Sequence, residues 1–164
     1  MMAALGIAIK PVIVPLAHIV TGPLFIPGGV VAGGFYMMWL VLGFGLTGKR
    51  GTATLIGLIQ AFVVLGTGFF GSHGVMSLLT YTVPGIMADL GLLLIGHRVC
   101  CYPCAFLAGM LANIGGSAMV NLVYFRLPLI PLLLSLCVAA LSGGLGGILA
   151  FQIREQLWKY QFGE

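Results

Sequence analysis

The sequence predicts an all-α membrane protein, a single domain over residues 1–164 folded as a bundle of six transmembrane helices with both termini in the cytoplasm. Three observations carry that prediction. Of 164 residues, 60% are hydrophobic and 6% charged, with a mean hydropathy of +1.17, where soluble domains carry about 25% charged residues. Turn-like separators cut the chain into six apolar stretches near the roughly 20 residues that a spanning helix needs. The stretches are continuously apolar, without the period-two alternation of a transmembrane barrel. The net charge of +4 comes from seven basic and three acidic residues, too sparse for a nucleic-acid surface.

The first stretch, 3–20, reads "AALGIAIKPVIVPLAHIV". No charged segment precedes it and no small-residue cleavage site follows, so it reads as a retained helix. It sets Lys10, Pro11, Pro15 and His18 beside the small residues Ala4, Gly6 and Ala8. The prolines free backbone carbonyls that other protein must satisfy, and the Lys10 ammonium is expected to snorkel to the cytoplasmic interface. The second stretch, 30–46, follows "TGPLFIPGG", and the third, 52–69, follows "TGKRG" and carries Gln60 at its middle. After "FGSHG" comes the fourth, 75–95, with Thr80, Tyr81 and Asp89. The fifth, 104–125, follows "GHRVCCYP", and the sixth, 129–153, follows "RLP". Glycine, 26 residues in all, explains how such helices meet. Lipid tails are as apolar as leucine, so association needs close backbone approach at small residues. "GFGLTG", "ANIGGSAMVN" and the dense "SGGLGG" at 142–147 supply it within the bundle.

Basic residues orient the bundle. With a cytoplasmic N-terminus, Lys49, Arg50, Arg98, Arg154 and Lys159 fall inside and Arg126 alone outside, the bias of plasma-membrane proteins. The connections at 21–29 and 68–74 and the turn at Arg126 are then external.

On that side His18, Ser72, His73, Thr80, Tyr81, Asn121 and Tyr124 share a depth. Together they would give a small-molecule pocket its donors, acceptors and aromatic wall, with Gln60 reaching either the pocket or a neighbouring helix. Asp89 is the one acid in the hydrocarbon region and so a functional candidate by default. Its depth favours a structural role, accepting hydrogen bonds from helix ends or pairing with Arg98, and a cationic ligand would favour contact with it. "CCYPC" sets Cys100, Cys101 and Cys104 near His97, but the second ligand pair of a zinc ribbon is missing and a cytoplasmic loop is reducing. The thiols read as incidental and no metal site is assigned. No catalytic residues are assigned either: "TGKRG" is not a phosphate loop, and neither a His-Glu-x-x-His pair nor a nucleophile elbow is present. An intramembrane enzyme built on His73 and Asp89 would need them closer than two helical turns. An autonomous channel is a further alternative.

Six helices, an internal N-terminus and the Ala4-x-x-x-Ala8 pair resemble the substrate-binding S components of energy-coupling factor (ECF) transporters. Residues 49–94, with Arg50-Gly51-Thr52-Ala53 leading a helix and Asp89 in the next, are similar to the YkoE-like group of that family, as is "LAGMLANIGGS" at 107–117. The group's proline in that lead-in is absent here. The resemblance implies a vitamin-like solute, thiamine or its pyrimidine precursor, bound from outside. It also implies that Ala4 and Ala8 dock on a transmembrane T subunit driven by two ATPase subunits. ATP is then used by the partners, and the chain needs no cofactor of its own. Haem or another tetrapyrrole such as cobalamin, held by His18 and His73 as axial ligands, is the alternative solute.

Overall fold

The computed structural model describes residues 1–22, 28–68 and 74–162. All regular structure among them is helical: α1 (Met2–Ala8), α2 (Lys10–Thr21), α3 (Gly28–Thr47), α4 (Thr52–Thr67), α5 (Ser77–Leu94), α6 (Tyr102–Val120) and α7 (Leu129–Phe162). Five helical stretches are long and apolar enough to cross a membrane, α1 and α2 counting as one, and α4 is shorter at 16 residues. In space α1 and α2 pack on α3, α3 on α7, α7 on α6, α6 on α5 and α5 on α4, with α4 returning to α1. The ring is thus closed, and α3 also touches α6 across it.

The first stretch is broken where its prolines demand it. Pro11 has no N–H to donate, so the ladder is interrupted at Ile9, whose carbonyl takes both the Val12 and Ile13 N–H groups at 3.2 and 3.1 Å. The small-residue stripe divides over the two sides of α1. Ala3 and Gly6 are buried, Gly6 against the Gln60 amide, whereas Ala4 and Ala8 are exposed.

Backbone contacts made by glycine hold the ring. A Cβ on Gly109 of α6 would strike the Gly143 carbonyl of α7, and one on Gly147 would strike that of Ala105. Gly34 and Gly146 do the same between α3 and α7, and Gly57 and Gly85 between α4 and α5. The "SGGLGG" run therefore packs this bundle on two sides at once. Polar ties sit among these contacts. Ser142 accepts from the Gly34 N–H at 3.0 Å and donates to the Val31 carbonyl. Asn113 donates to the Val30 and Ala139 carbonyls at 3.0 and 2.9 Å, joining α6 to α3 and α7.

Asp89 acts as a cap supplied from another helix. Its Oδ2 accepts from the Thr54 N–H at 2.8 Å and the Thr54 hydroxyl at 2.6 Å. Thr54 lies in the first turn of α4, whose N-terminal N–H groups have no partner within the helix and whose dipole favours a negative charge there. Loss of such a cap costs about 1–2 kcal/mol. Asp89→Ala should therefore lower the thermal midpoint of the purified protein and Asp89→Asn should lower it less. Equal midpoints in all three proteins would show that the cap contributes nothing.

Arg98 and Arg154 meet at one end, beside the Lys49–Arg50 turn. Gly45 and Gly48 at the end of α3 approach Val99 and Arg98, and Arg154 of α7 donates to the Val99 carbonyl at 3.1 Å. The sixth stretch does not stop at 153: α7 runs 34 residues, about 51 Å, well beyond a hydrocarbon core of about 30 Å. At the opposite end α6 widens into a π-helical turn, Asn121–Phe125, closed by the Arg126 N–H donating to the Asn121 carbonyl at 2.8 Å.

Candidate functional site

A cavity of about 240 Å³ opens inside the half of the bundle that carries the π-turn, opposite the basic end. Helices α2 to α7 all contribute to its wall: Lys10, Val14 and His18 from α2, Tyr36, Met37 and Leu40 from α3, and Gln60 from α4. Thr80, Tyr81 and Pro84 come from α5, Asn113, Gly116 and Ser117 from α6, Asn121 and Phe125 from the π-turn, and Ser135 from α7.

The break before α2 explains the charged group in this wall. Turning the chain at Ile9 sends Lys10 inward, and its Nζ lies between two aromatic faces, 4.4 Å from the Tyr36 ring centre and 3.8 Å from that of Tyr81. Cation–π attraction on both sides offsets part of the cost of desolvating the ammonium. The Tyr36 hydroxyl donates to the Gly29 carbonyl at 2.6 Å, fixing that ring. Among the described residues no carboxylate accompanies Lys10: their acids are Asp89 and Glu155, the first engaged by Thr54 and the second by Arg154. Snorkelling of Lys10 to the basic end is thereby corrected, because the inward turn commits its stem to the cavity.

Two polar atoms in the wall, Thr80 Oγ1 and Asn121 Nδ2, are buried without a hydrogen-bond partner. Buried polar groups in folded proteins are satisfied in the great majority of cases, so orphans facing a cavity mark where a ligand's own polar atoms would sit. Gln60 is partly engaged, its Nε2 donating to the Ala3 carbonyl at 3.4 Å. His18 is exposed at the α2 side of the cavity, its backbone against Gly28.

Of the residues singled out in the sequence, His18, Gln60, Thr80, Tyr81 and Asn121 line this cavity together. Tyr124 does not: the π-turn rotates it outward, leaving it 43% exposed. Asp89 does not either, its carboxylate being held at the α4 terminus. His73 and Ser72 lie outside the described residues. Lys10, Tyr36 and Asn113 were missed as site residues. Lys10 carried a usable signal, since an ionisable residue inside an apolar span is a functional candidate by default.

At the basic end the Cys101 and Cys104 sulfurs share a hydrogen bond at 3.0 Å, which holds the Cys101 thiol below the ordinary thiol range.

Residues 1–115 match the family described as the permease component of an ABC-type cobalt transport system. The chain belongs to this family. The match takes in α1 to α5 and much of α6, and with them most of the cavity wall. Members of this cobalt-permease family are components of transporters and not enzymes, and this one is a multi-pass protein of the plasma membrane. A solved structure described as an S-component of an ECF transporter superposes with a TM-score of 0.73 at 22% identity, covering 98% of this chain and 84% of that one. The cobalt-permease chain thus shares that protein's fold. No curated protein sequence matches it.

Proposed function

We propose that this chain is the S component of an ECF importer, capturing a small vitamin-like solute from outside for uptake driven by a T subunit and two ATPase subunits. The observation that supports it best is the cavity itself. It is walled by α2 to α7, and holds both orphaned polar atoms of Thr80 and Asn121 and a cation between two tyrosines. At about 240 Å³ it lies below the roughly 300–1,000 Å³ of sites for drug-sized ligands, the scale of a one- or two-ring solute. Phe125 would pack against a planar heterocycle, and Thr80, Asn121 and Gln60 would meet its ring nitrogens, amine and hydroxyl. Thiamine and its pyrimidine precursor have this chemistry. Lys10 orders the two, because an unneutralised ammonium repels the thiazolium charge of thiamine and accommodates the neutral pyrimidine.

The family's description points to cobalt. A bare divalent cation would meet Lys10 and find no carboxylate in the described wall, a poor donor set for such an ion. A tetrapyrrole, the alternative held by His18 and His73, is larger than the described cavity of about 240 Å³, which favours the smaller solute.

Calorimetric titration of the purified chain with the pyrimidine, thiamine, Co²⁺ and haem in turn separates these readings. Saturable binding of the pyrimidine or thiamine, with Co²⁺ and haem silent, is the expected result, and binding of Co²⁺ alone would replace the vitamin reading. Ala4 and Ala8, exposed on α1, are the proposed contact with the T subunit, since helices in lipid associate by close backbone approach. Ala4→Leu with Ala8→Leu should keep solute binding by the isolated chain and abolish ATP-dependent uptake by the reconstituted complex. Normal uptake by that double mutant would remove the docking role.

A further inference from the structure

The connection between α5 and α6, at the end opposite the cavity, brings three metal-ligand side chains together by backbone design, with a fourth, Cys101, beside two of them. Helix α5 stops in a Schellman turn, with Gly96 at φ +69°. The Gly96 N–H donates to the Leu93 carbonyl at 3.0 Å and the His97 N–H to that of Leu92 at 3.1 Å. That turn sends the chain back over its own helix end. The Cys100 N–H then closes on the Arg98 carbonyl at 2.8 Å, and the residue between them, Val99, is buried with its carbonyl held by Arg154. Cys101 is the extended residue that caps α6, its carbonyl taking the Ala105 N–H at 3.1 Å, and Cys104 follows one turn into the helix, buried.

The side-chain atoms that result lie at coordination spacing. A ring nitrogen of His97, Cys100 Sγ and Cys104 Sγ all fall within 4.8 Å of one another. His97 Nδ1 to Cys100 Sγ is 3.7 Å, Cys100 Sγ to Cys104 Sγ 3.7 Å and Cys100 Sγ to Cys101 Sγ 3.8 Å. Metal–sulfur bonds of about 2.3 Å in a tetrahedron put sulfurs about 3.8 Å apart, and a sulfur and an imidazole nitrogen about 3.6 Å apart. Three of the six edges already have those lengths and His97 to Cys104 lies within 4.8 Å, whereas Cys101 stands outside that group of three and would have to turn its thiol toward His97 to complete the set. The Cys101 to Cys104 edge, now 3.0 Å, would open by about 0.8 Å to reach the same tetrahedral length.

We propose that His97, Cys100, Cys101 and Cys104 bind one divalent transition cation of the zinc class, stapling the connection to the start of α6. The ribbon's second ligand pair is unnecessary because the Schellman turn and the helix cap deliver all four donors from one short segment. Three thiolates and a divalent ion leave one negative charge, placed at the N-terminus of α6 where the helix dipole favours it. The thiol protons leave to solvent as the metal binds. The site does not depend on the solute or on the transport reading.

Co²⁺, alone and then displaced by Zn²⁺, is the probe, added to the full chain in detergent after reduction with a phosphine. One equivalent should produce sulfur-to-cobalt charge-transfer absorption and the intense visible bands of a tetrahedral site. Cys100→Ser and His97→Ala, both at exposed positions, should each weaken binding at least about tenfold, a loss that even an outer-shell partner causes. Cys137→Ser, on exposed α7 surface, should leave the titration unchanged. A pale octahedral spectrum, or equal affinity in Cys100→Ser and the parent, would overturn the proposal. So would a Cys101–Cys104 disulfide that persists after reduction and excludes the metal.

Discussion

Gly109→Val should remove the folded, monodisperse protein from detergent extracts. A Cβ at this position meets the Gly143 carbonyl oxygen inside contact distance and the Gly147 nitrogen at 3.0 Å. Both neighbours are backbone on α7, so no rotamer change relieves the clash, and the helices must separate. Overpacking costs about 1–3 kcal/mol where side chains can move. Here the separation also strips the adjacent contact of Gly147 on Ala105, and close approach is the main source of association in lipid. Size-exclusion chromatography against temperature measures the outcome. The control is Gly66→Ala: nothing lies within 4 Å of a Cβ there, and the change should be neutral or stabilising by up to about 1 kcal/mol. If Gly109→Val were as heat-stable as Gly66→Ala, the glycine contacts would not be what holds α6 to α7.

Lys10→Met should move binding and stability in opposite directions. The ammonium sits between Tyr36 and Tyr81 with no acid beside it among the described residues, and an unpaired charge inside a bundle is costly even with cation–π compensation. Methionine keeps the stem and removes that cost, so the thermal midpoint should rise. A hydrogen bond from a charged group is worth about 1.5–3 kcal/mol, so affinity for the solute should fall roughly 10- to 150-fold. Calorimetry and thermal melts on the same preparations read the two effects. A variant that is less stable and binds normally would make Lys10 a structural residue and leave the cavity without its charged contact.

The helices were legible because apolar runs and turn-like separators are local properties, and the spans at 30–46, 52–69 and 75–95 each lie within two residues of the helical bounds. The direction in which a helix faces is not local. Pro11 signalled a break, but its effect on Lys10 depends on how the chain turns at Ile9, which the packing of α1 on α3 and α4 sets. Asp89 and Thr54 are 35 residues apart in sequence, so the cap between them required the α4–α5 contact to be known. Tyr124 and Asn121 would share a face of a regular helix, three residues apart. The π-turn changes that register and keeps Asn121 in the cavity while releasing Tyr124. Asn113 was indistinguishable from any amide joining two helices until its two carbonyl partners were identified on different ones.

The 16 residues of α4, ended at Thr67 by Gly68 in the left-handed conformation, give an apolar rod of about 24 Å, some 6 Å less than the usual hydrocarbon thickness. Lipid beside it must compress or the helix must expose its ends, at a cost of fractions of a kcal/mol per ångström of mismatch. The annulus around this protein is therefore uneven, thinned where α4 meets lipid and relaxed along the much longer α7. Because α4 packs against α1, the strained lipid adjoins the α1 side of the bundle, and a helix that packed over α4 there would relieve the bilayer of part of its deformation.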